Sequence, residues 1–353
     1  MSNFSESKKN PRKHLFYLTN EEIGEGGFGK VYIAKDRLKE EKKYVAKEIK
    51  NYKSIKDSLK ESHITNELLI GTELYNKNLV KIFEPFFANE KFYFICEYCN
   101  GNNLHELYKN KININEEIVQ KIMKNVLFGL SALHRNGIIH HDLKEGNILI
   151  NFNDLNDLNN KNYLKADYLI SDFGLSKYKD NNNLNKSTGG TNKYLPPEKI
   201  ELIFNQNDDS IFNESIDIWA IGIITYQLLF KSNPFLDKNF NPKGDKNFVK
   251  QKMYENLYAN MIKNGKYEID WKNNNVSYEL ICFLDSCLKK FPDNRETSEN
   301  LEFSRFITRD IQKFHKIDQN YFNKLPIEYK NDDKIILNIY DEMLIKNNKK
   351  FNP

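Results

Sequence analysis

Apolar and polar positions first alternate in short β-type runs and then settle into a helical period. The strand-like runs are residues 16–23, 30–34, 44–49, 80–87 and 92–97, with one helical stretch between them at 58–75. From Leu104 onward helices dominate. Residues 116–136 place Ile118, Ile122, Val126 and Leu130 on one helical stripe that stops at Gly137. Residues 216–230 are apolar nearly all round, which predicts a helix buried at the centre of this half. A small strand-rich lobe followed by a larger helical lobe is an α+β arrangement. No internal repeat is visible.

The boundaries follow from the same pattern. Residues 1–14 are polar and read as a disordered leader. The folded unit is expected at 15–309, with its small lobe at 15–98 and its large lobe at 99–309. Residues 310–353 form a charged tail with helical periodicity at Ile335, Ile339 and Met343, and it either packs on the large lobe or docks a partner.

Composition narrows the function class. An apolar fraction of 39% in 353 residues supports a packed core. The net charge of +4 argues against a dedicated nucleic-acid surface. The leader lacks an apolar signal segment, Ser2 rather than Gly follows Met1, and the apolar run at 216–230 is too short to span a bilayer. No membrane partner is expected, and an intracellular, cytoplasmic location is. Cys96, Cys99, Cys282 and Cys287 lie in apolar runs without neighbouring His ligands, so buried free thiols are expected rather than a zinc site. The Asn runs read as tolerated loop insertions.

Three stretches carry chemistry. In Ile23-Gly24-Glu25-Gly26-Gly27-Phe28-Gly29-Lys30-Val31, glycines leave backbone N–H groups open to phosphates. The chain continues as a strand rather than a helix, which favours a hairpin closing over a nucleotide and disfavours a dinucleotide fold. Next comes Tyr44-Val45-Ala46-Lys47-Glu48-Ile49, where a lysine inside a β-branched strand can hold phosphates as a point charge. Strand alternation favours Lys47 over Lys50, and Glu67 on the following helix is a suitable partner. The third stretch is Ile138-Ile139-His140-His141-Asp142-Leu143-Lys144-Glu145-Gly146-Asn147-Ile148-Leu149-Ile150, followed by Ser171-Asp172-Phe173-Gly174. Polar residues embedded in apolar runs cost free energy unless they do something. Asp142 can accept a hydroxyl proton, Lys144 can neutralise a transferring phosphate, and Asn147 and Asp172 can ligate Mg²⁺.

Together these motifs resemble the eukaryotic protein kinases, over roughly residues 16–307. The order matches: glycine-rich loop, strand Lys47, helix Glu67, catalytic loop, Asp172-Phe173-Gly174, then Thr191-Asn192-Lys193-Tyr194-Leu195-Pro196-Pro197-Glu198. Asp217-Ile218-Trp219 resembles the start of the family's central helix, and Arg295 the distal partner of Glu198. The resemblance implies the two-lobed kinase fold and ATP-dependent phosphoryl transfer to a protein substrate. Residues 23–31, Lys47 and hinge residue Glu97 would hold ATP, Asp172 and Asn147 would hold Mg²⁺, and Asp142 would orient the hydroxyl. Lys144 and Thr191 resemble the serine/threonine branch. The alternative is a pseudokinase, an ATP-binding scaffold without catalysis. Its hallmark is loss of Lys47, Asp142 or Asp172, and all three are present.

The sequence also departs from the family pattern. His141 replaces the usual Arg before the catalytic Asp, so a phosphate clamp on the activation loop is not expected. Gly71 stands where an apolar spine residue is usual. Either Leu68, Leu69 or Ile70 fills the space, or the helix carrying Glu67 needs a docking partner. Cys96, at the gatekeeper place, is small and leaves the back of the adenine site partly open. Asn103 and Gly146 replace acids found in arginine-directed relatives, so strong preference for basic residues is not expected. The stretch from Asn147 to Asp172 is longer than usual, and its Asn-rich middle is expected to be a mobile hairpin tip.

Overall fold

A computed structural model of the chain describes residues 16–25, 29–49, 58–88, 91–110, 112–179, 191–205, 213–237, 239–263 and 276–310. The leader, the tail, Lys50, Ser187 and Thr188 lie outside them. The small lobe holds strands β1 (Phe16–Glu25), β2 (Lys30–Asp36) and β3 (Lys39–Ile49), helix α1 (Ser58–Glu73), and strands β4 (Ile82–Ala88) and β5 (Lys91–Glu97). The sheet order is β1-β2-β3-β5-β4, with antiparallel neighbours. The predicted runs find their strands, with two shifts. β3 begins at Lys39 because its exposed, charged start still pairs with β2, Asp36 opposite Lys39. β4 begins at Ile82 because Val80 is engaged elsewhere, its N–H donating to the Ile170 carbonyl at 2.8 Å.

That bond belongs to the tie between the lobes. Ile170 N–H donates to the Asn78 carbonyl at 2.8 Å, and the buried Asn78 side chain donates to the Tyr168 carbonyl at 2.8 Å. Buried amide hydrogen bonds of this kind are costly to lose, so the segment after α1 is fixed to the large lobe. The large lobe runs α2 (Leu104–Lys109), α3 (Glu116–Arg135), β6 (Ile138–Ile139), β7 (Ile148–Asn151), α4 (Leu155–Asn159), β8 (Asp167–Ile170), β9 (Lys177–Tyr178), α5 (Pro197–Asn205), α6 (Ser215–Phe230), α7 (Lys246–Tyr258), α8 (Tyr278–Cys287), α9 (Ser298–Glu302) and α10 (Arg305–Thr308). α3 starts where Asn115 caps it by accepting from the Ile118 N–H. α6 is buried from Ile216 through Leu228 and forms the axis of the lobe, as its all-round apolar pattern predicts. No helix of the described residues is long and apolar enough to cross a membrane.

Two expectations need correction. The Asn-rich insertion is not a bare hairpin tip. Between β7 and β8 it forms α4, capped by Asp154, and Leu158 and Tyr163 pack on the main core. Tyr163 meets the Phe152 ring at 5.7 Å, and its carbonyl accepts from the Tyr168 hydroxyl at 2.8 Å. The space at Gly71 is not filled from its own helix. A Cβ there would lie 2.4 Å from Ile82 Cγ1 and 2.9 Å from Ile82 Cβ, so Ile82 of β4 already fills the space. Cys96 stands opposite Ile82 in the β4–β5 register and is 8% exposed. It packs in one cluster with Ile49, Val80, Ile82, Phe94 and Leu169.

Candidate active site

Residues 140–142 are set by a carboxylate buried beneath them. Asp217, in the first turn of α6, accepts the backbone N–H of His140 at 2.8 Å and of His141 at 2.9 Å. His134 Nε2 lies 3.0 Å from the same carboxylate, and its Nδ1 lies 2.9 Å from Ser298 Oγ. Burial pushes the Asp217 carboxyl up, but the His134 hydrogen bond and the neighbouring histidines outweigh it and hold it below the usual range. This grip turns the chain so that His141 adopts φ +67°, a left-handed conformation that non-glycine residues seldom occupy. The turn presents Asp142. Thr191 Oγ1 donates to Asp142 Oδ1 at 2.9 Å, Asn147 Nδ2 donates to its backbone carbonyl at 2.9 Å, and the Lys144 ammonium pairs with Oδ2.

The second cluster joins the lobes. Lys47 Nζ lies 2.5 Å from Glu67 Oε1 and 3.0 Å from Asp172 Oδ1. Burial disfavours the ammonium, yet Glu67 and Asp172 overcome it and hold Lys47 above the usual lysine range. Burial pushes the Asp172 carboxyl up, but Lys47, with His140 and Lys144 adding to it, holds it below the usual carboxylate range. It follows β8 at φ +68°, with Phe173 buried behind it and edge-on to His140 at 5.8 Å. Asn66 of α1 donates to the Ser176 carbonyl at 2.9 Å, which ties the Glu67 helix to the chain after Asp172.

The glycine hairpin is carried by β1 and β2. Ile23, Gly24 and Glu25 end β1, Lys30 and Val31 begin β2, and Gly26, Gly27 and Phe28 lie outside the described residues. Val31 stands opposite Lys47 in the register, so the hairpin starts beside the Lys47 ammonium. Gly29 is required sterically, since a Cβ would fall 1.9 Å from the Glu48 carbonyl oxygen. Lys30 turns away and pairs with Glu22 at 2.7 Å on the exposed side. Glu97 ends β5, its N–H donating to the Lys81 carbonyl at 2.9 Å.

Farther along, Arg295 grips Glu198 with two parallel bonds of 2.8 and 2.7 Å and covers the Trp219 ring at 4.9 Å. The protein kinase domain family matches residues 17–307. The chain belongs to the protein kinase family. This kinase is 30% identical over 248 residues to calcium/calmodulin-dependent protein kinase type 1 of Caenorhabditis briggsae, covering 70% of this chain and 60% of the relative. It is 28% identical over 282 residues to a protein of Plasmodium falciparum named probable serine/threonine-protein kinase 2, covering 80% of this chain and 48% of the relative. It is 32% identical over 246 residues to the mouse serine/threonine-protein kinase tousled-like 2, covering 65% of this chain and 32% of the relative. The kinase thus spans half to three fifths of the length of the first two.

Sequence reasoning missed two residues at this site. His134 braces Asp217 from α3, and the only hint in the sequence is a histidine near the end of an otherwise regular amphipathic helix. Lys199 of α5 is 3% exposed, with Nζ 3.2 Å from His141 Nδ1. Nothing in the sequence brings these two together, because their contact arises from packing of α5 on the catalytic loop.

Proposed function

We propose that this kinase transfers the γ-phosphate of ATP to serine or threonine hydroxyls of a protein substrate, with Asp142 as the base. The observation that carries this reading is the simultaneous engagement of both clusters. Lys47 spans Glu67 and Asp172 while Asp142 is held by Asn147, Thr191 and Lys144. Catalysis of phosphoryl transfer is largely positioning and charge neutralisation, and these are the groups that supply both.

Lys47, fixed by Glu67, is suited to grip the nucleotide phosphates, with the backbone of the glycine hairpin above it. Asp142 orients the acceptor hydroxyl and takes its proton as the new O–P bond forms and the bond from the γ-phosphorus to the bridging oxygen breaks, with ADP leaving. Lys144, paired with the same carboxylate, neutralises charge on the moving phosphoryl group. The donor set also suits Mg²⁺. Among the described residues no group of three or more His, Cys, Asp or Glu could hold a metal alone. Mg²⁺ instead favours one or two protein oxygens completed by phosphates. Asp172 supplies a carboxylate, and Asn147, whose amide N–H is committed to Asp142, has its amide oxygen to offer. Mg²⁺ there would neutralise phosphate charge. The hallmark of the pseudokinase alternative is loss of Lys47, Asp142 or Asp172, and all three are present.

The test is radiolabel transfer from ATP with Mg²⁺ to a generic acceptor protein, followed by phosphoamino-acid analysis. Label on serine or threonine, lost in Lys47→Met, is expected. Absence of transfer by the native protein, or label on tyrosine alone, would overturn the reading.

A further inference from the structure

Around Tyr108 the surface carries two lysines that have no carboxylate partner among the described residues. Thr191 touches Asp142, and the chain that follows is anchored by the buried Tyr194 and Leu195. Lys193 is held between them, its carbonyl accepting from Asn233 Nδ2 at 2.9 Å. Its Nζ lies 5.9 Å from the centre of the Tyr108 ring and 6.0 Å from that of Tyr194. On the other side of Tyr108 stands Lys231, the residue after α6. The Tyr108 hydroxyl donates to its carbonyl at 3.1 Å, and its own Nζ spends one donor on the Leu228 carbonyl at 2.7 Å. One tyrosine thus connects two half-buried cations, one of them two residues from the Thr191 that touches Asp142.

Among the described residues neither ammonium has a carboxylate within ion-pair distance, whereas Lys47, Lys144 and Lys179 around the same cleft are all paired. In that region the acid Glu145 is 1% exposed, and one of its oxygens has no hydrogen-bond partner. A carboxylate so enclosed cannot meet a cation on a bound peptide. Asn103 is committed to capping α2, and Gly146 offers no side chain. Partial burial lowers the Lys231 pKa, and an unpaired, partly dehydrated ammonium gains from an incoming anion.

We infer that Lys193 and Lys231, flanking Tyr108, form a subsite for an anionic side chain of the protein substrate, within a few residues of the phosphoacceptor. The reach is set by the chain: Lys193 is two residues from Thr191, and an extended peptide advances about 3.3–3.6 Å per residue. Aspartate, glutamate or a phosphoserine placed there by an earlier phosphorylation shares the required chemistry. The inference deepens the phosphotransfer reading and rests on it for the word substrate.

The experiment uses the full chain and fluorescent peptides with one central serine. Glutamate, phosphoserine, alanine or lysine is placed at each of the neighbouring positions. Binding is read by anisotropy and transfer by initial rate with ATP and Mg²⁺. At one position or more, the glutamate or phosphoserine peptide should bind about tenfold tighter than the alanine peptide, and the lysine peptide should bind worst. Lys193→Met/Lys231→Met, and separately Lys193→Gln/Lys231→Gln, should bring the glutamate-to-alanine ratio to about one. A larger gain for phosphoserine than glutamate assigns the site to primed substrates, and equal gains assign it to acidic ones. Preference for lysine, or an anionic preference that survives both double variants, overturns the subsite. Anionic preference in binding without any transfer leaves the subsite standing and removes the phosphotransfer reading instead.

Discussion

Lys199 Nζ lies 3.2 Å from His141 Nδ1, and both side chains are buried close to Asp142. A charged lysine against a histidine in that position is tolerable only if the histidine stays neutral. Burial, reinforced by Lys199, pushes His141 down to about 3, and burial pushes Lys199 down to about 8. The unfolded chain therefore takes up a proton at residue 141 below its ordinary pKa, while the folded chain does not. Stability should fall as pH drops from about 6.5 toward about 3, with a contribution on the order of a few kcal/mol. His141→Asn keeps a residue tolerant of positive φ and removes the titration. Urea unfolding of both proteins across that range should show a shallower acid limb for the variant; parallel limbs would contradict the assignment.

Lys199 has the opposite limb. Between about 8 and the ordinary lysine value the unfolded chain holds a proton that the folded chain has released. Its contribution to stability therefore rises with pH across that window. Lys199→Met should lose this rise while gaining stability at pH 7, where the buried ammonium is a cost. Thermal unfolding at pH 7 and pH 9.5 checks both signs.

A neutral, buried His141 cannot gather a phosphate from the activation loop. Phosphatase treatment, and the Ser187→Ala/Thr188→Ala double variant, should leave the initial rate within about twofold of the untreated protein. A drop of tenfold or more for either would show that another cation performs that task.

Gly71 and Ile82 are matched by shape. Alanine at 71 gains about 1 kcal/mol of helix propensity, but its Cβ would lie 2.4 Å from Ile82 Cγ1. Overpacking typically costs about 1–3 kcal/mol, so Gly71→Ala should lower Tm. Gly71→Ala combined with Ile82→Ala should be more stable than the sum of the two single changes implies. Additive losses would mean the two sites are independent.

Much of this architecture was legible because burial and chemistry leave marks in the chain. Lys47 stood out as a cation inside a β-branched strand, and Asp142, Asn147 and Asp172 as polar residues in apolar surroundings. α6 was readable because a helix buried on all sides has no polar face. The insertion before β8 misled because its Asn-rich composition hides Leu158 and Tyr163, the two side chains that dock it. Gly71 misled because the residue that fills its space comes from another strand rather than from its own helix. His134, Lys199, Lys193 and Lys231 gain meaning only from tertiary neighbours, which no local spacing encodes.

The central claim is that Asp142 acts on the acceptor hydroxyl while Lys47 and its partners hold the nucleotide. The most direct measurement compares ATP affinity and phosphoryl-transfer rate for the native protein and Asp142→Asn, with Mg²⁺ present. The account predicts ATP affinity within about threefold and a transfer rate lower by about 10²–10³-fold or more. Near-native transfer by the purified, folded Asp142→Asn protein would contradict it.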